Sequence, residues 1–358
     1  MKKIPIRYVI YALVLGLLIV IGLLWRTGPE PGQPGIVETF TEKRISFLAV
    51  GDIMLSRGVA RAIVRSGNPL TPFEKMESVF RFTDFNFGNL ESPISGNNNI
   101  LGKGLVFNMH ERDVAGLKAF NFKVLNLANN HAMDQGLKGL QQTRTVLAAN
   151  DLTFLGVGDD LDQAWQPKHI DVKGVKIGFV GASYASINDN GVTRNEYVAR
   201  MEDKEKLKRS IEQLRAEGSD FIVATMHGGT EYTRRPNDTQ VDFARAAIDF
   251  GADIVIGAHP HWVQVFEQYK GRYIFYSLGN FIFDQEWSRD TKEGLTLKVT
   301  LHSRKSSLPA SSASFTRIEH IELIPVVIEN FSTPRPATEA ESEQILKKIG
   351  AAERIINP

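Results

Sequence analysis

The sequence predicts an α/β fold with at least one parallel sheet. Apolar strand-like runs, such as 45–50, alternate with helical patterns through the first two thirds of the chain. A hairpin centred on Gly174 lies near the middle of the chain, and a hairpin centred on Gly271 and two alternating strands at 294–301 and 318–328 add antiparallel pairs in the last third. Because strands that alternate with helices build α/β domains, we expect a parallel sheet followed by a mixed or second sheet.

Length and composition limit the class of protein and the kind of metal site. The chain has 358 residues, enough for one large domain or two ordinary ones. With 42 basic and 41 acidic residues the net charge is +1, which gives no indication of nucleic-acid binding. The absence of cysteine excludes disulfides and thiolate ligands. A metal site would therefore use His, Asp, Glu and Asn, a ligand set that suits Zn, Mn or Fe.

The N-terminal segment has the pattern of a membrane anchor. Lys2, Lys3 and Arg7 precede an uncharged apolar run at 8–25, and a spanning helix needs about 20 such residues, with about 17 as the lower limit. A buried core helix would show a polar stripe, and a cleaved signal peptide would have a shorter apolar run and a small-residue cleavage site. We predict an uncleaved signal anchor in 1–26, a single pass through the cell membrane with the N-terminus inside.

A linker rich in proline and glycine begins after the anchor, and we assign it to 27–44. The remaining chain would then lie outside the cytoplasmic membrane. We expect the main domain at 45–330, and a peripheral helix and tail at 331–358.

Polar residues follow five of the strand-like runs, where an α/β protein binds its ligands. In chain order they are Asp52, Glu91, Asn130 with His131, His227, and His259 with His261. Each has a local alternative: Asp52 can cap a helix, Glu91 can pair on the surface, and Asn130 can form a turn before a helix that His131 caps.

Convergence of these strand ends would create a metal site. The carboxylates, amide and imidazoles form a ligand inventory large enough for two divalent ions. His259 and His261 flank Pro260 on a loop, so both can reach one centre. The other four histidines lack this setting, and we assign them to surface or packing positions: His110, His169, His302 and His320.

Six segments in a fixed order resemble the capsule-synthesis CapA family, which is linked to poly-γ-glutamate capsule production and has the calcineurin-like metallophosphoesterase fold. The segments are Ala49-Val50-Gly51-Asp52, Asn89-Leu90-Glu91-Ser92-Pro93, Leu127-Ala128-Asn129-Asn130-His131-Ala132-Met133-Asp134-Gln135-Gly136, His227-Gly228-Gly229-Thr230-Glu231-Tyr232, Gly257-Ala258-His259-Pro260-His261 and Ser277-Leu278-Gly279-Asn280-Phe281. The resemblance covers about 45–283. It implies a four-layer α/β/β/α sandwich, with two sheets face to face and helices outside.

The resemblance also implies roles for individual residues. Asp52 would be the first metal carboxylate and Glu91 the bridging one, while His131 would stabilise or protonate the leaving group. The remaining metal ligands would be Asn130, His227 and His259 for one ion, and His261 for the other. Glu231 could bind metal or substrate. The chain departs from the phosphoesterase pattern at Met54, where those enzymes have histidine, and a thioether is a poor ligand for a hard divalent ion.

Three functions remain open at this stage. The leading hypothesis is a membrane-anchored capsule-synthesis protein that uses one or two divalent ions (Mn, Zn or Fe) for hydrolysis or transfer on poly-γ-glutamate. Its partners would be other capsule-synthesis subunits and the anionic polymer. The alternatives are a cell-surface metal-dependent phosphoesterase and a non-catalytic, polymer-binding subunit of a synthase complex. There is no Gly-x-x-x-x-Gly-Lys sequence, so a P-loop ATPase is not expected.

Overall fold

The structure is a computed structural model that describes residues 5–26, 38–95, 106–184, 196–308 and 313–358. The chain divides into two compact units: Met1–Phe40 with Ser306–Ser311, and Thr41–Lys305 with Ser312–Pro358.

The first unit contains helix α1, Ile6–Arg26. No helix among the described residues has both the length and the apolar character needed to span a bilayer. The membrane-spanning segment predicted from the sequence is therefore not found in that part of the chain. Most of the predicted linker, 27–37, lies outside the described residues.

The second unit alternates helices and strands over most of its length. Its first strand begins at Phe40 and its twelfth strand ends at Ser306, two residues that belong to the first unit. The helices are α2 Arg57–Ser66, α3 Glu77–Phe80, α4 Val114–Ala119, α5 Gly136–Ala149, α6 Leu161–Ala164, α7 Lys204–Ala216, α8 Asp238–Asp249, α9 Arg289–Lys292 and α10 Glu339–Lys348. The strands are β1 Phe40–Ile53, β2 Phe85–Leu90, β3 Phe122–Asn126, β4 Thr153–Leu155, β5 Lys168–Val172, β6 Val175–Ser183, β7 Phe221–His227, β8 Ile254–Ala258, β9 Phe266–Tyr269, β10 Arg272–Phe275, β11 Asn280–Ile282, β12 Glu293–Ser306, β13 Phe315–Glu329, β14 Thr333–Pro336 and β15 Ile355–Ile356.

The strands form two mixed sheets. The larger has the order β14-β13-β12-β1-β2-β3-β4, with β11 beside β1 and β15 beside β13, and its strands β1 to β4 are parallel. The smaller has the order β5-β6-β7-β8-β10-β9, and its central strands are parallel. The pairs β5–β6 and β9–β10 are antiparallel hairpins, which confirms the hairpins predicted at Gly174 and Gly271.

Apolar residues fill the space between the sheets and between each sheet and its helices. Phe87 of the larger sheet stacks on Phe179 of the smaller at 5.7 Å between ring centroids, and burial of such a side chain contributes about 1.5–3 kcal/mol. A second core joins the larger sheet to α2, α4 and α5, and a third joins the smaller sheet to α7 and α8. Leu207, Ile211 and Leu214 of α7 are buried, as the helical periodicity predicts.

The two sheets bring several strand ends to one region. Asp52 of β1 lies opposite Asn89 of β2 and Asn280 of β11. The preceding residue, Gly51, allows this close approach, because a Cβ there would lie 1.8 Å from the carbonyl oxygen of Gly279. The approach thus places Asp52 beside the loops that follow β2, β3, β7 and β8.

Candidate metal centre

Three charged or titratable side chains meet at the end of the two sheets. Asp52, Glu91 and His227 are fully buried, and one ligand atom from each lies within 4.8 Å of the others. They come from β1, from the residue after β2 and from the end of β7. Two carboxylates and an imidazole at this separation could hold a divalent cation.

Two amides orient this group. Asn89 Nδ2 donates to Asp52 Oδ1 at 2.8 Å and lies 3.1 Å from His227 Nδ1. Asn130 Oδ1 lies 2.7 Å from His227 Nε2, on the side of the ring that faces Glu91 Oε1 at 3.8 Å. The structure therefore brings Asn130 to the same centre as the three clustered residues.

The other two histidines of the predicted site lie beside the first. The ring centroid of His259 is 4.8 Å from that of His227 and 6.1 Å from that of His261. His261 Nδ1 contacts Asn280 Oδ1 at 2.8 Å and lies 3.7 Å from Asp52 Oδ2. A hydrogen bond from Nδ1 to Asn280 leaves Nε2 of His261 as the nitrogen that can bind a cation.

Several buried polar atoms in the centre have no hydrogen-bond partner among the described residues. They include both carboxyl oxygens of Glu91 and Nδ1 of His259. The imidazole nitrogens that face Glu91 Oε1, from His131 and His227, are 3.6 and 3.8 Å away. An unsatisfied buried polar group costs about 1–3 kcal/mol. A cation in contact with Glu91 would remove that cost, so the residues present fit a metal ion.

Burial shifts the titration of these groups in a consistent way. It raises the pKa of Asp52 to about 7, against the opposing effect of the hydrogen bonds from Asn89 and the His259 amide. Burial, followed by the charge of Asp52, raises the pKa of Glu91 well above its usual value.

The imidazoles shift in the opposite direction. Burial lowers the pKa of His227 and of His259, and it lowers that of His261 to about 4. These three rings are therefore neutral at pH 7, the state that binds metal. The carboxyls must lose protons when a cation binds.

Backbone strain is concentrated in the loops that carry these residues. His259, His261 and Tyr232 have positive φ angles of 102°, 58° and 60°. Such conformations cost non-glycine residues on the order of 1–3 kcal/mol each. The fold keeps them at the centre, as is common where side chains must be aimed at a ligand.

His131 lies at the edge of the cluster and is fixed from two sides. Its Nδ1 contacts Asp134 Oδ2 at 2.8 Å, and the backbone N–H of Phe107 donates to the same oxygen at 2.6 Å. The Phe107 ring stacks on the imidazole with centroids 3.9 Å apart. With Nδ1 bonded to Asp134, His131 presents Nε2 towards Glu91.

Met54 and Glu231 differ in their relation to the centre. Met54 is buried, and its sulfur accepts a hydrogen bond from the Ser56 amide at 3.1 Å. Glu231 is exposed at the rim, where its negative charge adds to the raised pKa of both Asp52 and Glu91. Its charge thus acts on the centre, although Glu231 is not part of the buried cluster.

Sequence reasoning assigned no role to four residues that shape the centre. Asn89, Asp134 and Asn280 stand inside the strand-end segments that carry the family resemblance, and their hydrogen-bonding side chains were the available signal. Phe107 offered no signal, because it lies in an irregular segment whose position depends on tertiary packing.

A comparison with known protein families identifies the family of this chain. The profile of the family described as bacterial capsule synthesis protein PGA_cap matches residues 46–285, the stretch that contains every residue of this centre. The chain belongs to this family. The resemblance to CapA proteins is thereby confirmed.

Two relatives and one solved structure extend the comparison. The chain is 34% identical to the PGA biosynthesis protein CapA of Bacillus subtilis (strain 168) over 85% of its own length and 79% of that protein. It is 31% identical to the capsule biosynthesis protein CapA of Bacillus anthracis, over 95% and 80% of the two chains. Its fold is similar to that of the calcineurin-like phosphoesterase YfkN from Bacillus subtilis, with a TM-score of 0.51, 14% identity and coverage of 87% and 96%.

Proposed function

We propose that this PGA_cap protein acts on poly-γ-glutamate during capsule synthesis, by hydrolysis or transfer at an amide or phosphoester. The observation that supports this proposal is the buried cluster of Asp52, Glu91 and His227 in a chain that belongs to the family. Other capsule-synthesis subunits would be its partners, as the names of the two CapA relatives suggest.

The residues around the cluster have separate tasks in this proposal. Asp52, Glu91, Asn130, His227, His259 and His261 would hold one or two divalent ions of Mn, Zn or Fe. A bound divalent ion supplies a Lewis acid and an activated water near neutral pH.

His131 would stabilise or protonate the leaving group through Nε2, and Asp134 fixes its orientation through Nδ1. Glu231 binds substrate or metal from the rim. Met54 cannot replace a histidine ligand, so we expect the ion contacted by Glu91, Asn130 and His227 to bind more tightly than the other.

The proposal includes a single-pass membrane anchor with the domain outside the cell membrane. Its support is the uncharged run at 8–25 behind a basic flank. Because the chain has no cysteine, Lys3→Cys and Glu212→Cys can each be labelled with a membrane-impermeant maleimide. We expect intact cells to label only the Glu212 variant, and labelling of Lys3→Cys without permeabilisation would contradict the orientation.

The functional test uses the full-length chain in a strain that lacks it. Asp52→Asn and His227→Ala should reduce the amount of surface poly-γ-glutamate or change its chain length. His169→Ala, a half-exposed histidine in β5, should not. Normal polymer in both site variants, with normal protein levels, would exclude catalysis at this centre and favour a polymer-binding subunit.

A cell-surface phosphoesterase is the second candidate, favoured by the fold shared with YfkN and by the donor set. A panel of nucleotide, lipid and sugar phosphates with added Mn or Zn tests it. Rapid turnover that Asp52→Asn abolishes, in a strain whose capsule is unchanged, would favour the phosphoesterase over the polymer-acting protein.

A further inference from the structure

An aromatic surface leads from the candidate metal centre to solvent. The ring of Tyr232 stacks on His261 with centroids 5.9 Å apart and an interplanar angle of 26°. The indole of Trp287 meets the other end of Tyr232 edge-on, with centroids 4.8 Å apart. Trp287 is 61% exposed. We call Tyr232 and Trp287 the aromatic shelf.

The inner part of the aromatic shelf is held in place by its backbone. Tyr232 has a φ of 60°, which costs an aromatic residue on the order of 1–3 kcal/mol, and its amide donates to the Pro260 carbonyl at 2.9 Å. That bond ties Tyr232 to the loop that carries His259 and His261. The ring is thus fixed relative to the centre, as a surface that positions a substrate must be.

A cavity lined by both carboxylates and cationic side chains adjoins the outer end of the aromatic shelf. It has a volume of about 510 Å³, and Trp287, Arg289 and Lys292 are among its lining residues. Binding cavities for small ligands span about 300–1,000 Å³. A segment of a bound chain that passes over Trp287 would therefore find room there.

The carboxylates that line this cavity already have cationic partners. The pairs are Glu286 with Lys292 at 3.5 Å, Glu293 with Lys348 at 2.5 Å and Glu341 with Arg335 at 2.7 Å.

Among the described residues, Arg289 donates only from Nε, to Glu293 at 3.0 Å, and its side chain is 58% exposed. A guanidinium has five N–H donors. Arg289 therefore retains donors for a ligand carboxylate.

We propose that the aromatic shelf and the adjoining cavity bind consecutive units of a γ-linked glutamate chain whose reacting bond lies at the metal centre. The inference rests on the proposed function and specifies how the polymer is held. The two methylene groups of each unit pack on the rings of Tyr232 and Trp287, and an α-carboxylate meets Arg289. Aromatic faces suit such apolar stems, and a guanidinium binds carboxylates in a bidentate manner.

The spare donors of Arg289 favour this occupant over a nucleotide. A nucleotide could stack its base on the aromatic shelf, but its phosphate would lie at the metal centre and would leave Arg289 without an anion. A γ-linked glutamate chain carries one carboxylate on every unit, so it places anions at both ends of the aromatic path.

Equilibrium binding of fluorescently labelled γ-linked glutamate oligomers to the full-length protein tests this proposal without requiring turnover. We expect Trp287→Ala to raise the Kd of an eight-unit oligomer about tenfold, and to leave that of a two-unit oligomer unchanged. Arg289→Ala should also raise the Kd for the long oligomer and reduce its salt dependence. Phe82→Ala and Arg81→Ala are matched controls, since both residues are exposed and lie outside the shelf and its cavity.

The outcomes distinguish failure of the aromatic shelf from failure of the proposed function. If the wild-type protein binds long oligomers and Trp287→Ala binds them equally well, the shelf is wrong while the polymer remains the substrate. If the wild-type protein binds no oligomer, both are wrong. A nucleoside monophosphate that binds tightly, with an affinity that Trp287→Ala lowers, would overturn the glutamate chain as the occupant.

Discussion

The substitution Glu91→Gln should raise the stability of the protein without metal and lower the stabilisation that metal provides. The Glu91 carboxyl is fully buried, and its oxygens have no partner among the described residues. Gln keeps the shape and removes the charge. Removal of this buried charge should raise the free energy of unfolding in chelator by about 1–3 kcal/mol at pH 8.

The gain should depend on pH in a defined direction. The pKa of Glu91 in the folded protein lies well above the ordinary value of 4.5. A raised carboxyl pKa means that the wild type loses stability as pH rises above about 4.5. The variant lacks this loss, so its advantage should be smaller at pH 5 than at pH 8.

Saturating metal should reverse the order of the two proteins. An ion at 100 times its Kd stabilises the folded state by about 2.7 kcal/mol, and the variant should lose most of this because it lacks one carboxylate ligand. Equilibrium urea unfolding of the full-length protein, with EDTA and then with Mn or Zn, measures both effects. Glu212→Gln, an exposed position on α7, is the matched control.

A different pattern would refute this reasoning. If Glu91→Gln destabilised the protein in EDTA, the carboxyl would be satisfied in the fold. If metal stabilised wild type and variant equally, Glu91 would not contact the ion.

Three further predictions follow from the structure. Below pH 7, metal affinity should fall about tenfold per pH unit for each proton that the metal displaces, because burial raises the pKa of Asp52 to about 7. Calorimetry in two buffers counts the released protons. A metal affinity that stays constant from pH 5 to 7 would contradict the raised pKa. Asp134→Asn should slow polymer processing about 10–100-fold with unchanged metal content, since Asp134 orients His131. Kinetic measurements together with metal analysis test this, and loss of metal from the variant would show that Asp134 has another role. Gly51→Ala should lower the free energy of unfolding, measured in urea, by about 3 kcal/mol or more, because its Cβ would lie 1.8 Å from the Gly279 oxygen. The control is Gly218→Ala, whose Cβ meets nothing within 4 Å and which should cost only about 1–2 kcal/mol. Equal costs for the two variants would refute the packing argument.

Local features of the chain were readable from the sequence. The helix at Lys204–Ala216 follows from apolar residues at helical spacing, and its buried face is the predicted one. The turns at Gly174 and Gly271 follow from glycine between two apolar runs, and both lie in antiparallel hairpins. Such features depend on neighbours a few residues apart.

The sequence also predicts that each candidate ligand lies at the end of a strand. Asp52, Glu91 and His227 each follow or end an apolar run. What the sequence alone could not provide is that the larger and smaller sheets meet so that β7 faces β1 and β2. That contact depends on packing across the core, for example Phe87 on Phe179.

Details of the centre required the tertiary structure. Nothing local indicates that Asn89 contacts both Asp52 and His227, or that Phe107 stacks on His131. The positive φ angles of His259 and His261 could not be predicted from the sequence either, because the preference of histidine for that conformation is too weak.

An anomalous difference map from crystals of the full-length protein grown with Mn or Zn tests the central claim most directly. The account predicts a peak in contact with Glu91 and His227, with Asp52 or Asn130 completing the contacts. A map that shows the metal bound elsewhere, and no peak between these side chains, would contradict it.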